Sequence, residues 1–312
     1  MKLSVIIPCH NEEKNIFLFY DEFKNAFKYY KGTFELIFID DGSKDDTFKE
    51  LIRLVEKKDN VDNIKALSFS RNFGKEAAMY AGLREATGDY VCIIDADLQQ
   101  KPSIILDMIK ILDKEKEYDC VCAYQEKRKE SRIMSRLKRS FYKIINSTSE
   151  VEFVTGASDF RLFRKSVAES IIALGEHHRF LKGIFSYVGF NTYYIPYEVE
   201  ERANGKTNWN FTKLFRYAID GILAFSDLPL KLSLYFGNFL FIGSIIFLII
   251  SLILKLNIVT TMMFFLILIS LSIILIFIGI TNLYISRIYD EVKSRPNYII
   301  RSTISTEKNN KK

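Results

Sequence analysis

Apolar and polar positions alternate along the first 125 residues in a pattern that predicts a layered α/β domain. Short apolar runs of strand length recur at residues 3–7, 35–39, 64–68, 90–94 and 120–123. Longer polar–apolar stretches with helical spacing separate these runs, for example at 12–29 and 46–57. Strands that alternate with helices are typical of a parallel sheet with helices on its faces.

A second pattern begins near residue 232, where the chain becomes almost entirely apolar. Residues 232–254 and 262–285 form two apolar runs, each slightly longer than the ~20 residues that cross a bilayer. Lys255 is the only charged residue between Leu232 and Ser286. The short link at 255–261 therefore predicts two transmembrane helices joined as a hairpin.

The charges around this predicted hairpin set its expected orientation. The 312-residue chain carries 44 Lys and Arg against 38 Asp and Glu, and basic residues flank both outer ends of the hairpin. The positive-inside rule then places the body and the tail in the cytoplasm. The abundance of Lys, Ile, Asn and Phe favours a bacterial source, so we expect a multi-pass protein of the bacterial plasma membrane. Its expected parts are a soluble domain (1–210), amphipathic juxtamembrane helices (211–231), the hairpin (232–286) and a basic cytoplasmic tail (287–312).

Polar residues follow the predicted strands at the edge of the sheet where ligands bind in such folds. Neither a Gly-x-Gly-x-x-Gly after the first strand nor a Gly-x-x-x-x-Gly-Lys-Ser/Thr occurs. Acidic groups stand there instead, and carboxylates repel phosphates unless a divalent cation lies between them. Asp95, Asp97 and Gln99 therefore predict a Mg²⁺ or Mn²⁺ site that bridges a diphosphate.

A basic segment at 127–145 follows the fifth predicted strand. Its apolar residues recur at three- and four-residue spacing, and Lys and Arg, among them Arg132 and Arg136, occupy the other face. This pattern predicts an interfacial amphipathic helix that contacts anionic lipid headgroups. A solvated charge run or a nucleic-acid patch is the competing interpretation, which we do not favour in a chain expected to be anchored in a bilayer.

Seven short motifs occur in order along the chain. They are Val5-Ile6-Ile7-Pro8 with Asn11-Glu12-Glu13, Ile39-Asp40-Asp41-Gly42-Ser43, Ser68-Phe69-Ser70-Arg71-Asn72-Phe73-Gly74-Lys75, Asp95-Ala96-Asp97-Leu98-Gln99, Asp159-Phe160-Arg161-Leu162, Arg179-Phe180-Leu181-Lys182-Gly183 and Arg202-x-x-Gly205-Lys206-Thr207. Together they resemble the polyprenyl-phosphate branch of family 2 glycosyltransferases, which includes dolichyl-phosphate mannose synthase and bacterial undecaprenyl-phosphate glucosyltransferases. The resemblance implies a GT-A fold with a Rossmann-like, mostly parallel sheet.

The same resemblance implies a role for each matching position. Asp97 and Gln99, with Asp95, would bind the metal, and Asp159 would be a catalytic group. Arg202 and Lys206 would also be catalytic, because cations stabilise the charge that develops on a diphosphate leaving group. Arg132 or Arg136 would hold the acceptor phosphate. The donor would contact Pro8, His10, Glu12, Asp41, Asp95, Ala96, Asp97, Gln99, Lys182 and Arg202.

The implied reaction is attack by a polyprenyl-phosphate oxygen on the anomeric carbon of a nucleotide sugar, with inversion. A phosphate monoester has its second pKa near about 6 and is largely ionised at neutral pH, so it hardly needs a general base. We therefore expect Asp159 to orient the acceptor or the sugar hydroxyls; a role as base stays open. Abundant Lys, Ile, Asn and Phe favour a bacterial source, hence undecaprenyl phosphate and UDP-glucose, with UDP-N-acetylglucosamine second and GDP sugars open.

Two other functions stay open from the sequence. A processive polysaccharide synthase typically carries Gln-x-x-Arg-Trp and more membrane helices, whereas the only tryptophan here is Trp209, between two asparagines. A non-catalytic membrane scaffold with a degenerate transferase domain is disfavoured by the intact acids at Asp95 and Asp97. A membrane domain of two helices is thin, which favours a homo-oligomer.

Overall fold

A mixed sheet forms the centre of the part of the chain that the computed structural model describes, residues 1–57, 63–125, 157–176, 179–198, 235, 242 and 259–306. Its eight strands are β1 (Lys2–Cys9), β2 (Thr33–Asp40), β3 (Asn63–Phe69), β4 (Tyr90–Ile93), β5 (Cys120–Gln125), β6 (Ala157–Arg164), β7 (Thr192–Tyr197) and β8 (Ile300–Ser305). The helices in these residues are α1 (Ile16–Ala26), α2 (Thr47–Glu56), α3 (Lys75–Glu85), α4 (Ile104–Lys114), α5 (Lys165–Ala173), α6 (Leu181–Tyr187) and α7 (Val259–Lys293).

The strands lie in the order β7-β5-β6-β4-β1-β2-β3-β8. Strand β1 pairs in parallel with β2 and β4, β2 with β3, and β5 with β7. Strands β6 and β8 run antiparallel to their neighbours. The five predicted strands are confirmed, and the sheet is mostly parallel, as expected, with six of its eight strands running in one direction. Only β6 and β8, two of the three described strands that the sequence pattern left out, run against the others.

Strand β2 shows why the predicted apolar runs are continuous. Leu36 and Phe38 pack on one face in the core shared with α1 and α2, whereas Ile37 and Ile39 pack on the other face against α3. Side chains of a strand point alternately to opposite faces, so a strand covered on both faces is apolar throughout. The helices thus cover the sheet and leave its carboxyl-terminal edge for the polar loops.

The C-terminal region corrects the predicted transmembrane hairpin. No helix in the described residues combines the length and the apolar character that a bilayer crossing requires. The second predicted span belongs to α7, a single 35-residue helix that continues through Glu291 and Lys293. Nearly all of the first predicted span, 232–254, lies outside the described residues. The predicted two-helix hairpin is wrong, since it rested on apolar runs alone and these runs did not give the helix boundaries.

Residues 300–305, within the predicted basic tail, form β8 at the edge of the sheet. The strand runs antiparallel to β3, with Thr303 opposite Leu67. The register shifts around Arg301, because Ser302 lies opposite Ser68 while Ile300 lies opposite Phe69. Such a β-bulge leaves one residue unpaired and redirects its side chain.

Candidate functional site

The ends of β1 and β2 bring four of the predicted donor residues to one edge of the sheet. Pro8 lies next to Ile39 in the parallel register of these two strands. The ring of His10 donates from Nδ1 to the backbone carbonyl of Asp41 at 3.0 Å. The Glu12 backbone N–H donates to the hydroxyl of Thr47 at 2.8 Å. The structure thus brings Pro8, His10, Glu12 and Asp41 together, and their contacts with a donor stay a prediction.

Asp41 fastens the loop at 70–74, which connects β3 to α3. Its carboxylate is buried and accepts hydrogen bonds from the backbone N–H groups of Phe73 and Gly74 at 2.7 and 2.9 Å. Burial raises the pKa of Asp41, and these two hydrogen bonds act in the opposite direction. Each carboxylate oxygen has two acceptor sites, so the same group can still accept a hydrogen bond from a nucleobase. The predicted contact of Asp41 with the donor therefore stays a prediction.

The turn after β2 explains the Asp-Asp-Gly-Ser motif. Asp40 accepts from the Ser43 backbone N–H at 3.0 Å and from the Ser68 hydroxyl at 2.7 Å. Gly42 has φ +60°, a conformation that glycine adopts without steric cost. A Cβ at Gly42 would overlap the backbone of Arg71. Asp40 and Gly42 therefore shape the site, while Asp41 faces the loop at 70–74.

The predicted metal ligands lie in a tight turn after β4. Leu98 has φ +60°, a left-handed conformation that is uncommon for a residue with a branched side chain. The Gln99 backbone N–H donates to Asp97 at 3.2 Å across this turn. Ala96 is buried between the two aspartates, at 2% exposure. The turn thus keeps Asp95, Asp97 and Gln99 close together.

The side-chain oxygens of Asp95, Asp97 and Gln99 are the candidate ligands for a divalent cation. Within the described ranges, no cluster of three or more His, Cys, Asp or Glu side chains forms a cage for a metal ion. Mg²⁺ in phosphate-handling sites is usually held by one or two carboxylates, with water and substrate phosphates completing its coordination. Asp97 and Gln99, with Asp95, fit that second arrangement by their chemistry.

Lys75 joins two predicted site residues that come from different strands. Its Nζ lies 2.7 Å from Asp95 and 2.9 Å from Asp159 on β6. Burial would lower the pKa of Lys75, but the two carboxylates hold it well above its usual range. Burial would likewise raise the pKa of Asp159, but the charges of Lys75 and Lys182 hold it well below. Asp159 is therefore ionised at neutral pH.

Lys75 has no role among the sequence-based predictions, although the residue ends one of the seven motifs. The position of Lys75 in the sequence nevertheless indicates a role. Lys75 begins α3, and the N-terminus of a helix favours acidic side chains over basic ones. A lysine placed there directly after Gly74 therefore indicates a partner elsewhere in the fold, which the structure identifies as Asp95 and Asp159.

Glu76 is a second residue that the sequence analysis missed. Its carboxylate accepts a hydrogen bond at 3.1 Å from the backbone N–H of Leu181, the first residue of α6. Burial, followed by the charge of Asp159, raises the pKa of Glu76 to about 8. The contact ties α3 to the helix that carries Lys182, a predicted donor residue.

Four predicted site residues lie outside the described residues. They are Arg132, Arg136, Arg202 and Lys206. Their assignments to the acceptor phosphate and to the leaving diphosphate stay predictions. The predicted homo-oligomer also stays a prediction, because the structure contains one chain.

The fold and the acidic edge of the sheet define a glycosyltransferase. The sequence matches "Glycosyl transferase family 2" over residues 4–172, and the chain belongs to that family. It is 39% identical over 313 residues to the bactoprenol glucosyl transferase of Shigella phage SfX, covering 97% of this chain and 99% of the relative. It is 37% identical over 312 residues to the prophage bactoprenol glucosyl transferase homolog of Escherichia coli K12, with 96% and 99% covered.

The predicted GT-A fold is confirmed by a solved structure. Glucosyl-3-phosphoglycerate synthase from Mycobacterium tuberculosis, crystallised with Mn²⁺, uridine diphosphate and phosphoglyceric acid, superposes with a TM-score of 0.50. The alignment covers 71% of this chain and 76% of the synthase at 18% sequence identity. At that identity the similarity establishes the fold and carries no statement about substrates.

Proposed function

We propose that the protein transfers glucose from UDP-glucose to a polyprenyl phosphate, with undecaprenyl phosphate as the favoured acceptor and inversion at the anomeric carbon. Of two relatives with almost full coverage, one is named a bactoprenol glucosyl transferase and the other a homolog of one, which supports this acceptor and this sugar. The observation that carries the proposal is the contact of Lys75 with both Asp95 and Asp159 beside the Asp97–Gln99 turn. A partly buried cluster of opposite charges at the strand ends suits a charged diphosphate and a charged acceptor.

The electrostatics of Asp159 support a mechanism without a general base. An acceptor phosphate is already largely ionised at neutral pH and attacks through its own oxygen. Lys75 and Lys182 hold the pKa of Asp159 well below its usual range, so this carboxylate has little affinity for a proton. Asp159 then serves to orient the acceptor or the sugar hydroxyls, in line with the expectation from the sequence.

The leaving diphosphate requires positive charge beside the acidic turn. A divalent cation, Mg²⁺ or Mn²⁺, would be held by Asp97 and Gln99 with Asp95 and would stabilise the charge of the leaving group. Lys182 lies in α6 close enough to Asp159 for its positive charge to lower the pKa of that carboxylate, and Glu76 accepts a hydrogen bond from Leu181, the first residue of the same helix. Lys75 meanwhile keeps Asp95 and Asp159 from repelling one another.

A transfer assay tests the proposal. Purified full-length protein is incubated with undecaprenyl phosphate in detergent, Mg²⁺ or Mn²⁺, and radiolabelled UDP-glucose, UDP-N-acetylglucosamine or GDP-mannose. We expect label to move into the organic phase from UDP-glucose only. We also expect Asp97→Ala and chelation of the metal to abolish the transfer. Asp107→Ala is the matched control, since Asp107 is an exposed residue of α4 paired with Lys110.

The other outcomes of this assay identify the rival functions. Transfer from UDP-N-acetylglucosamine or GDP-mannose would contradict the proposed donor and retain the lipid acceptor. Label in a polymer that stays in the aqueous phase would indicate a processive synthase. Nucleotide binding without any transfer would contradict the proposed acceptor, and absence of nucleotide binding would indicate a scaffold.

A further inference from the structure

The C-terminal segment, residues 297–305, is attached to β3, the strand that leads into the loop at 70–74. Strand β8 pairs along β3, and this pairing continues past the strand end, because the Ser70 backbone N–H donates to the Ile299 carbonyl at 2.9 Å. Ser70 is the first residue of the loop at 70–74, whose last two N–H groups bind Asp41. A segment more than 200 residues away in the sequence therefore fixes the start of this loop.

A row of aromatic rings extends from the same segment into the loop. The Tyr298 ring stacks on Phe69 with a centroid distance of 5.0 Å and an interplanar angle of 13°. Phe69 meets the edge of Phe73 at 5.8 Å, and the Arg71 guanidinium lies 4.2 Å from the Phe73 ring centre. The loop is thus held at Phe73 and Gly74 by Asp41, while Tyr298 packs on Phe69, the residue that precedes the loop and contacts Phe73.

Tyr298 also contacts Tyr80 of α3, which in turn contacts Arg179. The two rings meet edge to face at 6.3 Å, and the guanidinium of Arg179 lies 3.8 Å from the Tyr80 ring centre. Arg179 donates to the carbonyls of Ile171 and Leu174, both at 2.7 Å. Arg179 lies two residues before Leu181, where α6 begins. This chain of contacts therefore ends close to Lys182 in the sequence.

The bulge in β8 brings the C-terminal segment to the wall of a cavity. Arg301 and Ser302 line a cavity of about 300 Å³ together with Asp40, Ser43 and Ser68. Asp40 and Ser43 form the turn directly after β2, next to Asp41. The polar side chains of Arg301 and Ser302 therefore border the turn after β2. The Tyr298 ring of the same segment packs on Phe69 of β3 and Tyr80 of α3.

We propose that Tyr298 is a positioning residue of the donor site, which holds the 70–74 loop and Arg179 in the arrangement that binds a nucleotide. The ring contacts both Phe69 and Tyr80, so its loss would loosen the 70–74 loop and the packing of Arg179 together. Tyr298 is not one of the predicted donor or catalytic residues and acts through these neighbours. The inference rests on the proposed function, because it assumes that this edge binds a nucleotide sugar.

Calorimetric titration of the full-length protein with UDP and Mn²⁺ tests the inference. We expect Tyr298→Ala to raise the Kd for UDP by about 3- to 10-fold, the range that the loss of aromatic contacts predicts. Tyr298→Phe keeps the ring and loses only the hydrogen bond between its hydroxyl and Arg84, so it should bind within about twofold of wild type. Tyr29→Ala is the matched control, because Tyr29 is 84% exposed.

The stoichiometry of binding separates positioning from simple unfolding. A variant that only loses folded protein binds fewer nucleotides per chain at an unchanged Kd, whereas a misplaced loop weakens the Kd at an unchanged stoichiometry. If Tyr298→Ala does not fold, Tyr298→Leu, which keeps apolar volume without a ring, is judged by the same criterion. A Kd for the folded variant equal to that of wild type overturns the inference.

The transfer assay keeps this test distinct from that of the proposed function. Wild-type protein that binds UDP but transfers no glucose to a polyprenyl phosphate contradicts the proposed function, and the Kd values of the Tyr298 variants still decide the inference. If wild type binds GDP instead of UDP, the same titrations are made with GDP. Wild-type protein that binds neither nucleotide overturns both.

Discussion

Single residues of the donor site depend on charges that compensate one another. Lys75 lies between Asp95 and Asp159 and reduces the repulsion between these two like charges in a partly buried site. Removing one member of such a cluster leaves the others uncompensated, and this costs more than the net contribution of the ion pair. The same lysine explains why Asp159 stays ionised, which is the property that the proposed mechanism requires.

Replacement of Lys75 tests this charge balance. We expect Lys75→Ala to lower kcat/KM for glucose transfer by about 10²-fold or more. The reason is that the site loses a positive charge that is already in position before the substrate binds. Lys75→Arg keeps the charge and should retain more activity than Lys75→Ala. Steady-state kinetics measure both, with Lys110→Ala on the exposed face of α4 as control. Activity of Lys75→Ala within twofold of wild type would contradict the role.

Replacement of Asp159 distinguishes an orienting group from a base. We expect Asp159→Asn to raise the KM for the lipid acceptor while the pH dependence of kcat/KM keeps its shape, since the wild-type carboxylate does not titrate near neutral pH. The measurement is a pH–rate profile of both proteins. A loss of rate that rising pH restores would show that Asp159 accepts the proton.

Glu76 makes the stability of the fold depend on pH. Its pKa is about 8 in the folded protein against 4.5 for a free side chain. Between these values the folded state holds more protons than the unfolded state, so this group lowers stability as pH rises from about 4.5 to about 8. Glu76→Gln stays neutral and still accepts from the Leu181 N–H. We expect its Tm, relative to wild type, to rise by several degrees from pH 5 to pH 8.5.

The matched control for this measurement is Glu169→Gln, an exposed position on α5. Its Tm difference from wild type should not change over the same pH range. A Glu76→Gln difference that is equally flat would show that Glu76 titrates with an ordinary pKa.

At the scale of elements, the turns after the strands decide where the site residues lie. Gly42 has a left-handed backbone and its Cα hydrogens face the backbone of Arg71 and Asn72. Gly42→Ala should therefore destabilise the fold by about 1–3 kcal/mol and raise the donor KM, because the 70–74 loop has to move. Gly175→Ala is the control, with open space around its added Cβ. Chemical denaturation and steady-state kinetics measure the two effects, and equal stability of both variants would contradict this account.

The same scale shows which elements the sequence could predict. Strands β1 to β5 and the helices between them follow from the spacing of apolar positions, because these neighbours in sequence are also neighbours in space. Strand β8 could not be found in this way, since its residues face β3 only after the chain returns from α7. The predicted hairpin failed for a related reason: apolar runs indicate burial or membrane contact but do not give the ends of a helix such as α7.

For the whole molecule, the site follows from the sequence only as far as the motifs reach. Asp41, Asp95 and Asp97 could be predicted to converge because the ends of neighbouring parallel strands share one edge. Lys75 and Glu76 could not be assigned, since their partners Asp159 and Leu181 lie 84 and 105 residues further along the chain. Tyr298 is more distant still and carries no motif.

The configuration of the product tests the central claim, that this site transfers glucose directly to a phosphate oxygen. Wild-type protein is incubated with UDP-α-glucose and undecaprenyl phosphate, and the anomeric proton of the extracted glycolipid is observed by NMR. A single inverting displacement predicts a β-glucosyl phosphate. An α-linked product would contradict direct attack by the acceptor phosphate, and free glucose without a lipid product would contradict the acceptor itself.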